Sequence, residues 1–414
     1  MAVMAGYKQT EVGVIPEDWE QTTIGEIATK VGSGITPRGG SSKYKEYGRP
    51  FVRSQNIGWG RLLLGDIAYI DDETHSTFSA TELKENDVLL NITGASIGRS
   101  ALANQKLIGG NVNQHVCIIR SKPNDANPSF INYLLLSSLG QRQIDSFQAG
   151  GNREGLNFGQ IKSIKIPLPP TKAEQEAIAG ALSDADALIE SLEQLIAKKR
   201  HLKQGAMQEL LTGNKRLPGF SGEWEVKQLG DVIEKFVGGG TPSRSNPQYW
   251  GSEIPWVTVK DFATFDPRSA QEAITKTGLQ NSASHLIPQG ILITSTRMAL
   301  GKAVVYEVGV AINQDLKALF PKPELSTQYL YFWFQYHGQS IDELGSGSTV
   351  KGISLPDLKK IEFSLPLIPE QTAIATILSD MDTEIAALES RLAKTRSLKQ
   401  GMMHNLLTGK IRLV

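Results

Sequence analysis

The chain carries one long helix-like segment twice, and the two copies align without an insertion. LPPTKAEQEAIAGALSDADALIESLEQLIAKKRHLKQGAMQELLTG (168–213) returns as LIPEQTAIATILSDMDTEIAALESRLAKTRSLKQGMMHNLLTG (367–409). From Glu174 against Glu370 to Gly213 against Gly409 the offset is constant, 370 − 174 = 409 − 213 = 196. The shared words EQ, SD, LKQG and LLTG place this alignment far outside chance. A duplicated chain with a rigid element in each copy describes a two-headed object, and a two-headed object suits a bipartite target.

The repeat extends upstream of the helix. Trp19 matches Trp224, Thr36-Pro37 matches Thr241-Pro242 and Pro50 matches Pro255, all at an offset of 205. DVLLNITGASIGR (87–99) resembles GILITSTRMALGK (290–302) at an offset of 203, and Asn113-Gln114 meets Asn313-Gln314 at 200. The drift from 205 to 196 marks small length changes in loops, where they are tolerated. Each copy is then a globular head of roughly 150–170 residues, an ordinary domain size, followed by a helix. The boundaries read as head 1–170, helix 171–213, head 214–366 and helix 367–414.

The heads read as mixed α/β with a β bias. Apolar, β-branched runs bounded by Gly, Pro and Asn recur in DVLLNI, HVCIIR, EIPWVTV, GILITST and KAVVYEV. Each head has one helical patch, FINYLLLSSLGQRQIDSF or QYLYFWFQYHGQSIDEL, then a Gly-rich turn. A strand-like IKSIKIPLP or KKIEFSLPL leads through Pro into the long helix, and Thr-Gly after the last apolar residue stops that helix.

Six apolar positions per helix form a heptad seam. They are Ile178, Leu182, Ala185, Ile189, Leu192 and Ile196, then Ile374, Leu378, Met381, Ile385, Leu388 and Leu392, each displaced by 196. An amphipathic helix packed on its own head would show similar spacing. Forty residues rise about 60 Å, however, longer than such a head is wide. Charge sets the direction of pairing. Residues 172–193 hold six acids against one base, and residues 194–213 hold four bases against one acid. In the second helix the split is five acids in 368–389 and five bases in 390–410. Antiparallel pairing puts each acidic half beside the other's basic half and opposes the helix dipoles. The expected architecture is two globular heads separated by an antiparallel two-helix coiled coil.

At this point the residues resemble those of a known family. The order is a head, a helix ending LKQGxMxxLLTG, the linker RLPGFSGEWE, a second head and a second helix ending LKQGMMHNLLTG. GSGITP or GGGTP follows the Trp-led strand. This pattern is similar to that of the specificity subunit of type I restriction–modification systems, over essentially the whole chain. The resemblance implies two target recognition domains, each reading half of an asymmetric, interrupted site in double-stranded DNA. It implies that the helices set the spacer and dock two DNA adenine-N6 methyltransferase subunits, with two restriction/motor subunits in the full complex. S-adenosylmethionine, ATP and Mg²⁺ would serve those partners, and this chain would need no cofactor.

The residues offer no catalytic apparatus of their own. Asn246-Pro247-Gln248-Tyr249 lacks the second Pro of an adenine-methyltransferase tetrapeptide, and no phosphate-binding loop is present. A nuclease-like set can be drawn from Asp72, Glu82 and Lys84, but the second copy lacks it. Six scattered histidines and one cysteine do not make a zinc site. Cys117, in the strand-like HVCIIR, reads as a core thiol. No apolar run suits a membrane span or a leader peptide, so a soluble cytoplasmic protein is expected. Lys plus Arg equals Asp plus Glu, 43 each, so overall charge argues neither for nor against nucleic acid.

The duplication stands in for an alignment, since two heads that share a scaffold and read different bases agree where they fold. Trp19/Trp224, Thr36-Pro37/Thr241-Pro242 and Pro50/Pro255 read as scaffold. Asn113-Gln114 and Asn313-Gln314 could read adenine edges or buttress a loop. The divergent polar loops are the stronger candidates for DNA contact. In the first head they contribute Arg38, Lys43, Tyr44, Lys45, Arg53, Gln55, Asn56, Thr93, Ser96, Arg99 and Arg153. In the second they contribute Ser243, Arg244, Thr258, Lys260, Thr296, Arg297, Lys302 and Lys351. Two other readings stay open at this stage: the recognition part of a larger nuclease–methylase, and a protein–protein scaffold without DNA contact, which a pI of about 7.0 permits.

Overall fold

The computed structural model describes residues 5–148, 155–347 and 351–413. The chain divides into two compact units, Met1–Glu193 with Ser390–Val414, and Gln194–Glu389. Both boundaries fall inside the long helices Lys172–Leu211 and Ile368–Leu406. Each unit therefore holds one head, the first half of the helix that follows it, and the last half of the other helix.

In the first unit a four-stranded antiparallel sheet has the order Ala28–Ser33, Val116–Ser121, Val88–Asn91, Ser100–Leu102. Alternation sends its side chains to two cores. Val88, Leu90, Cys117 and Ile119 join one cluster, while Leu89, Val116 and Ile118 join another. Burial on both faces explains why these strands read as unbroken apolar runs. A second sheet places Arg49–Val52 between Ala68–Ile70 and Asn111–Val112, the latter pair parallel.

The second unit repeats the plan. Its main sheet has the order Ile233–Gly238, Leu316–Pro321, Leu292–Ser295, Ala303–Val305, and Trp250–Val257 runs parallel to Val310–Ile312 in the other sheet. The expected helical patch is one helix here, Thr327–Glu343. In the first head it is two, Pro128–Leu136 and Ser138–Gln148. Ser137 is extended there, and a Cβ on Gly140 would sit 2.3 Å from the Leu134 carbonyl. The strand-like IKSIKIPLP is partly helical: Asn157 and Gln160 form a capping box at the start of Phe158–Lys162, before the strand Lys165–Leu168.

Within each unit the two helix halves run antiparallel, as the charge pattern requires. The first unit pairs Arg396 with Glu193 and Lys399 with Asp186, each at 2.5 Å, and Arg412 with Glu174. The second pairs Arg200 with Glu389 at 2.5 Å, and Lys203 with Asp382 and Arg216 with Glu370 at 2.6 Å. Each acid of the first set gains 196, and each base loses 196, to give its counterpart in the second, so the symmetry of the sequence is the symmetry of the contacts. Exposed pairs contribute little each. Glu174 and Glu370, however, are almost fully buried, with side chains 1% and 3% exposed.

The helix ends are fastened to the heads by matching devices. The buried amides of Gln175 and Gln371 donate to carbonyls at Asp125 and Pro169, and at Glu324 and Pro366. Gly213 and Gly409 take left-handed φ values of 74° and 68°, ending the long helices, and lie against Trp224 and Trp19 respectively. The seam is accordingly not one uniform helix–helix contact. Ile178 and Leu182 join the first head's core with Leu406 and Leu407; Ile374 and Leu378 join the second's with Leu210 and Leu211. Leu192, Ile196 and Ile385 are buried, and Ala185, Ile189, Met381, Leu388 and Leu392 are half-buried.

Candidate nucleic-acid interface

Sheet register gathers the polar loops of each head at one end of its main sheet. In the first head Ser33 pairs with Cys117 and Val116 with Asn91. The segments after Ser33, before Val116 and after Asn91 therefore emerge together. The segment after Val52 joins them, because Asn113 N–H donates to the Val52 carbonyl (3.0 Å) and Asn91 Nδ2 to that of Ser54 (2.8 Å). Thr93 also bridges to Gly155. In the second head Gly238 pairs with Lys317 and Ser295 with Leu316, Asn313 N–H donates to the Val257 carbonyl (3.1 Å), and Arg297 bridges to Gly352.

The shared residues hold this end together. Thr36 Oγ1 donates to Gln114 Oε1, and Thr241 Oγ1 to Gln314 Oε1 at 2.8 Å. Asn113 and Asn313 are buried and accept from the amides of His115 (3.0 Å) and Asp315 (3.2 Å). One glycine in each of the GSGITP and GGGTP motifs has the same steric cause: a Cβ on Gly34 or Gly239 would lie 1.7 or 1.8 Å from a carbonyl oxygen, that of Val112 or Ile312.

The divergent candidates separate into anchored and outward side chains. Asn56 is buried and binds the Arg53 amide and the carbonyls of Leu63 and Asp66; Asp261 has the same post in the second head, binding the amides of Thr258 and Gln271. Arg53 and Gln55 both reach Asp66, with Arg53 5.4 Å from the Tyr44 ring centroid, and Tyr44 packs on Phe51. Lys45 pairs with Asp71 at 3.4 Å. Arg244 lies 3.7 Å over Trp250 and pairs with Glu272, whose hydrogen bond holds the guanidinium charge more firmly than usual. Ser243 bonds Ser245, Thr258 caps the Lys260 amide, Thr296 Oγ1 donates to the Asp315 carbonyl, and Lys351 pairs with Asp342 at 2.7 Å. Thr93 Oγ1 lies 2.6 Å from His115 Nδ1. Arg38, Lys43, Lys260 and Lys302 are exposed, Arg99 and Ser96 are half-buried, and Arg153 lies outside the described residues.

Asp72 and Glu82 both approach Arg49, at 2.5 and 3.8 Å, and Glu82 also meets His75 at 3.3 Å. Burial pushes the Cys117 thiol up to about 12, which keeps it protonated. His115, Asp315, Arg216 and Arg412 were not singled out by the sequence. The last two carried a signal, because the match at offset 196 continues past LLTG into Arg216-Leu217 and Arg412-Leu413.

Two heads of one plan, each gathering a different set of polar loops at the same sheet end, define a tandem recognition protein. A family model described as the type I restriction modification DNA specificity domain matches residues 16–198 and again 221–395. The chain belongs to that family, carries its domain twice, and is a DNA target-recognition protein. It is 27% identical to a putative type I restriction enzyme specificity subunit (MjaX) of Methanocaldococcus jannaschii, over 98% of this chain and 97% of the relative. It is 29% identical to a type I restriction enzyme specificity subunit of Escherichia coli, over 59% of this chain and 61% of the relative. In fold it is similar to the HsdS subunit of Thermoanaerobacter tengcongensis (TM-score 0.52, 21% identity, covering 96% of this chain and 98% of that one). It is also similar to the type I S subunit of M. genitalium (TM-score 0.60, 16% identity, 98% of both chains).

Proposed function

We propose that each head reads one half of an asymmetric, interrupted DNA site. On this reading the two long helices set the spacer and dock two adenine-N6 methyltransferase subunits, joined by two restriction/motor subunits in the full complex. The observation that carries it is the convergence, in both heads, of loops that agree in their props and differ in their outward side chains. Arg38, Lys43, Arg99, Lys260 and Lys302 supply cations for phosphates, which position the duplex. The polar side chains between them supply base-edge contacts.

The chain's own contribution is binding and placement. Methyl transfer and cleavage belong to the partners, which use S-adenosylmethionine, ATP and Mg²⁺, and the chain works in the cytoplasm without a cofactor. Among the described residues no helix is long and apolar enough to cross a membrane. The charge balance of 43 against 43 fits a recognition subunit whose partners add positive surface. Fragmented genomic DNA incubated with the purified chain–methyltransferase complex tests the reading. Fragments sharing one interrupted motif should be retained, with salt-dependent affinity. Retention of the same fragments by the methyltransferase alone would refute it.

A further inference from the structure

One seat in each head has identical supports and opposite chemistry. The residue after the shared Asn-Gln pair is His115 in the first head and Asp315 in the second, its amide held by the buried Asn113 or Asn313. The preceding Gln is held by the Thr of the Thr-Pro turn. The neighbouring strand end supplies Thr93-Gly94 in one head and Thr296-Arg297 in the other, at the constant offset of 203. At the first seat the imidazole contacts Thr93 Oγ1 at 2.6 Å and Gln114 Nε2 at 3.1 Å. At the second, Asp315 Oδ2 accepts from Asn313 Nδ2 (3.2 Å), and Oδ1 faces Arg297 Nη1 at 3.7 Å.

Arg49, Arg120, Arg244 and Arg268 hydrogen-bond a carboxylate, whereas Arg297 meets Asp315 at 3.7 Å, beyond hydrogen-bond reach. Its side chain is 60% exposed against 12% for Asp315, so the carboxylate steadies the guanidinium without covering it. The backbone beyond it is strained: Met298 and Ala299 have φ of 60° and 39°, left-handed values at two non-glycine residues, before Gly301 at 74°. The first head makes its turn with Gly94 and Gly98, φ 66° and 85°. The turn in the second head is held at both flanks, Met298 N–H to the Lys351 carbonyl (2.9 Å) and Ile353 N–H to the Thr296 carbonyl (3.0 Å). Such strain in non-glycine residues persists where the surroundings over-determine it, and it collects at binding sites.

The geometry points to Arg297, aimed by Asp315, as the residue that reads a guanine in the second half-site, and to His115 as the occupant of the same seat for the first. A guanidinium offers paired donors that match O6 and N7 of guanine in the major groove, the commonest specific contact of its kind. With Gly94 in place of Arg297, the first head cannot make that contact there. The two half-sites thus differ at this seat by construction. This inference rests on the half-site reading above.

The test uses the full chain in complex with its methyltransferase subunit, and duplexes carrying each base in turn at every second-half-site position. Methylation kcat/KM is measured for the wild-type, Arg297→Ala and Arg297→Lys complexes. Arg297→Ala should lose about 5- to 150-fold of discrimination at a single guanine position, with the first half-site read as before. Arg297→Lys should keep part of that guanine preference. Unchanged discrimination at all positions overturns the assignment. So does a fall equal on matched and substituted duplexes, which is the signature of a phosphate contact. A wild-type complex that methylates no interrupted motif would instead refute the half-site reading itself.

Discussion

Arg412→Ala is the perturbation whose cost the structure specifies most closely. Arg412 Nη2 binds Glu174 Oε2 and both terminal nitrogens bind Asp18, all at 2.9 Å, while Nε also reaches Glu174. Glu174 is 1% exposed, so losing the arginine strands a buried carboxylate. Breaking a fully buried pair from one side costs about 3–5 kcal/mol. Arg412 is 29% exposed, which lets water replace part of it. The carboxylate also sits in the first turn of the helix Lys172–Leu211, where the dipole favours it. A loss of about 2–3 kcal/mol from the first unit follows. At a urea m-value of about 2–3 kcal/mol per M, that is a midpoint shift of roughly 1 M.

The assay is urea unfolding followed by hydrogen exchange, so that the two units are read separately and no single transition is imposed. Peptides spanning 15–24 and 172–183 should lose protection, whereas those spanning 224–232 should keep it. Lys399→Ala is the control. Its partner Asp186 is 41% exposed and still receives the Tyr133 hydroxyl at 2.9 Å, so the cost is about 1 kcal/mol or less. Arg412→Met with Glu174→Gln removes both charges and should be less destabilised than Arg412→Ala alone. A single variant no worse than Lys399→Ala, or a double variant worse than the single, would refute the reasoning.

Other consequences follow from the repeat and the burial pattern. A fragment 1–218 should form a dimer by size-exclusion light scattering, the second copy's Gly213 and Arg216 taking the seats that Gly409 and Arg412 occupy on Trp19 and Glu174. A fragment 1–214 lacks Arg216 and should dimerise more weakly; equal affinity would argue against the clasp. Cys117, fully buried and with its thiol pushed up to about 12, stays neutral at pH 8. Ellman's reagent should therefore find no fast-reacting thiol in the folded chain and one in denaturant. Seven residues added to each long helix lengthen it by about 10 Å, so the methylated spacer should grow by roughly 3 base pairs, at about 3.4 Å per pair, with both half-sites unchanged.

The long-range architecture was legible because duplication turns one chain into its own comparison. A constant offset of 196 exposes helix ends, heptad positions and charge order together, and the ion pairs keep that offset. Loop chemistry was less legible. Asn56 has the composition of a base reader, yet its amide closes the turn from Arg53 to Asp66; sequence does not show which way a polar side chain faces. His115 escaped notice because its meaning depends on Thr93, 22 positions away, and on comparison with Asp315. The break at Ser137 was hidden inside an apolar run whose spacing suits one helix or two. Ile178 and Leu182 looked like coiled-coil positions, and they are also core, because a heptad seam and an amphipathic face use the same spacing.

If each head specifies one half of the target independently, the N6-methyladenine motif records it, in DNA from cells carrying the methyltransferase with either the natural chain or one whose residues 221–366 are replaced by 16–169. The natural chain should give two unrelated half-sites separated by a fixed gap. The replaced chain should give the first half-site and its inverted repeat across a gap of similar length. An uninterrupted motif from the natural chain, or a replaced chain that still methylates the original second half-site, would contradict it.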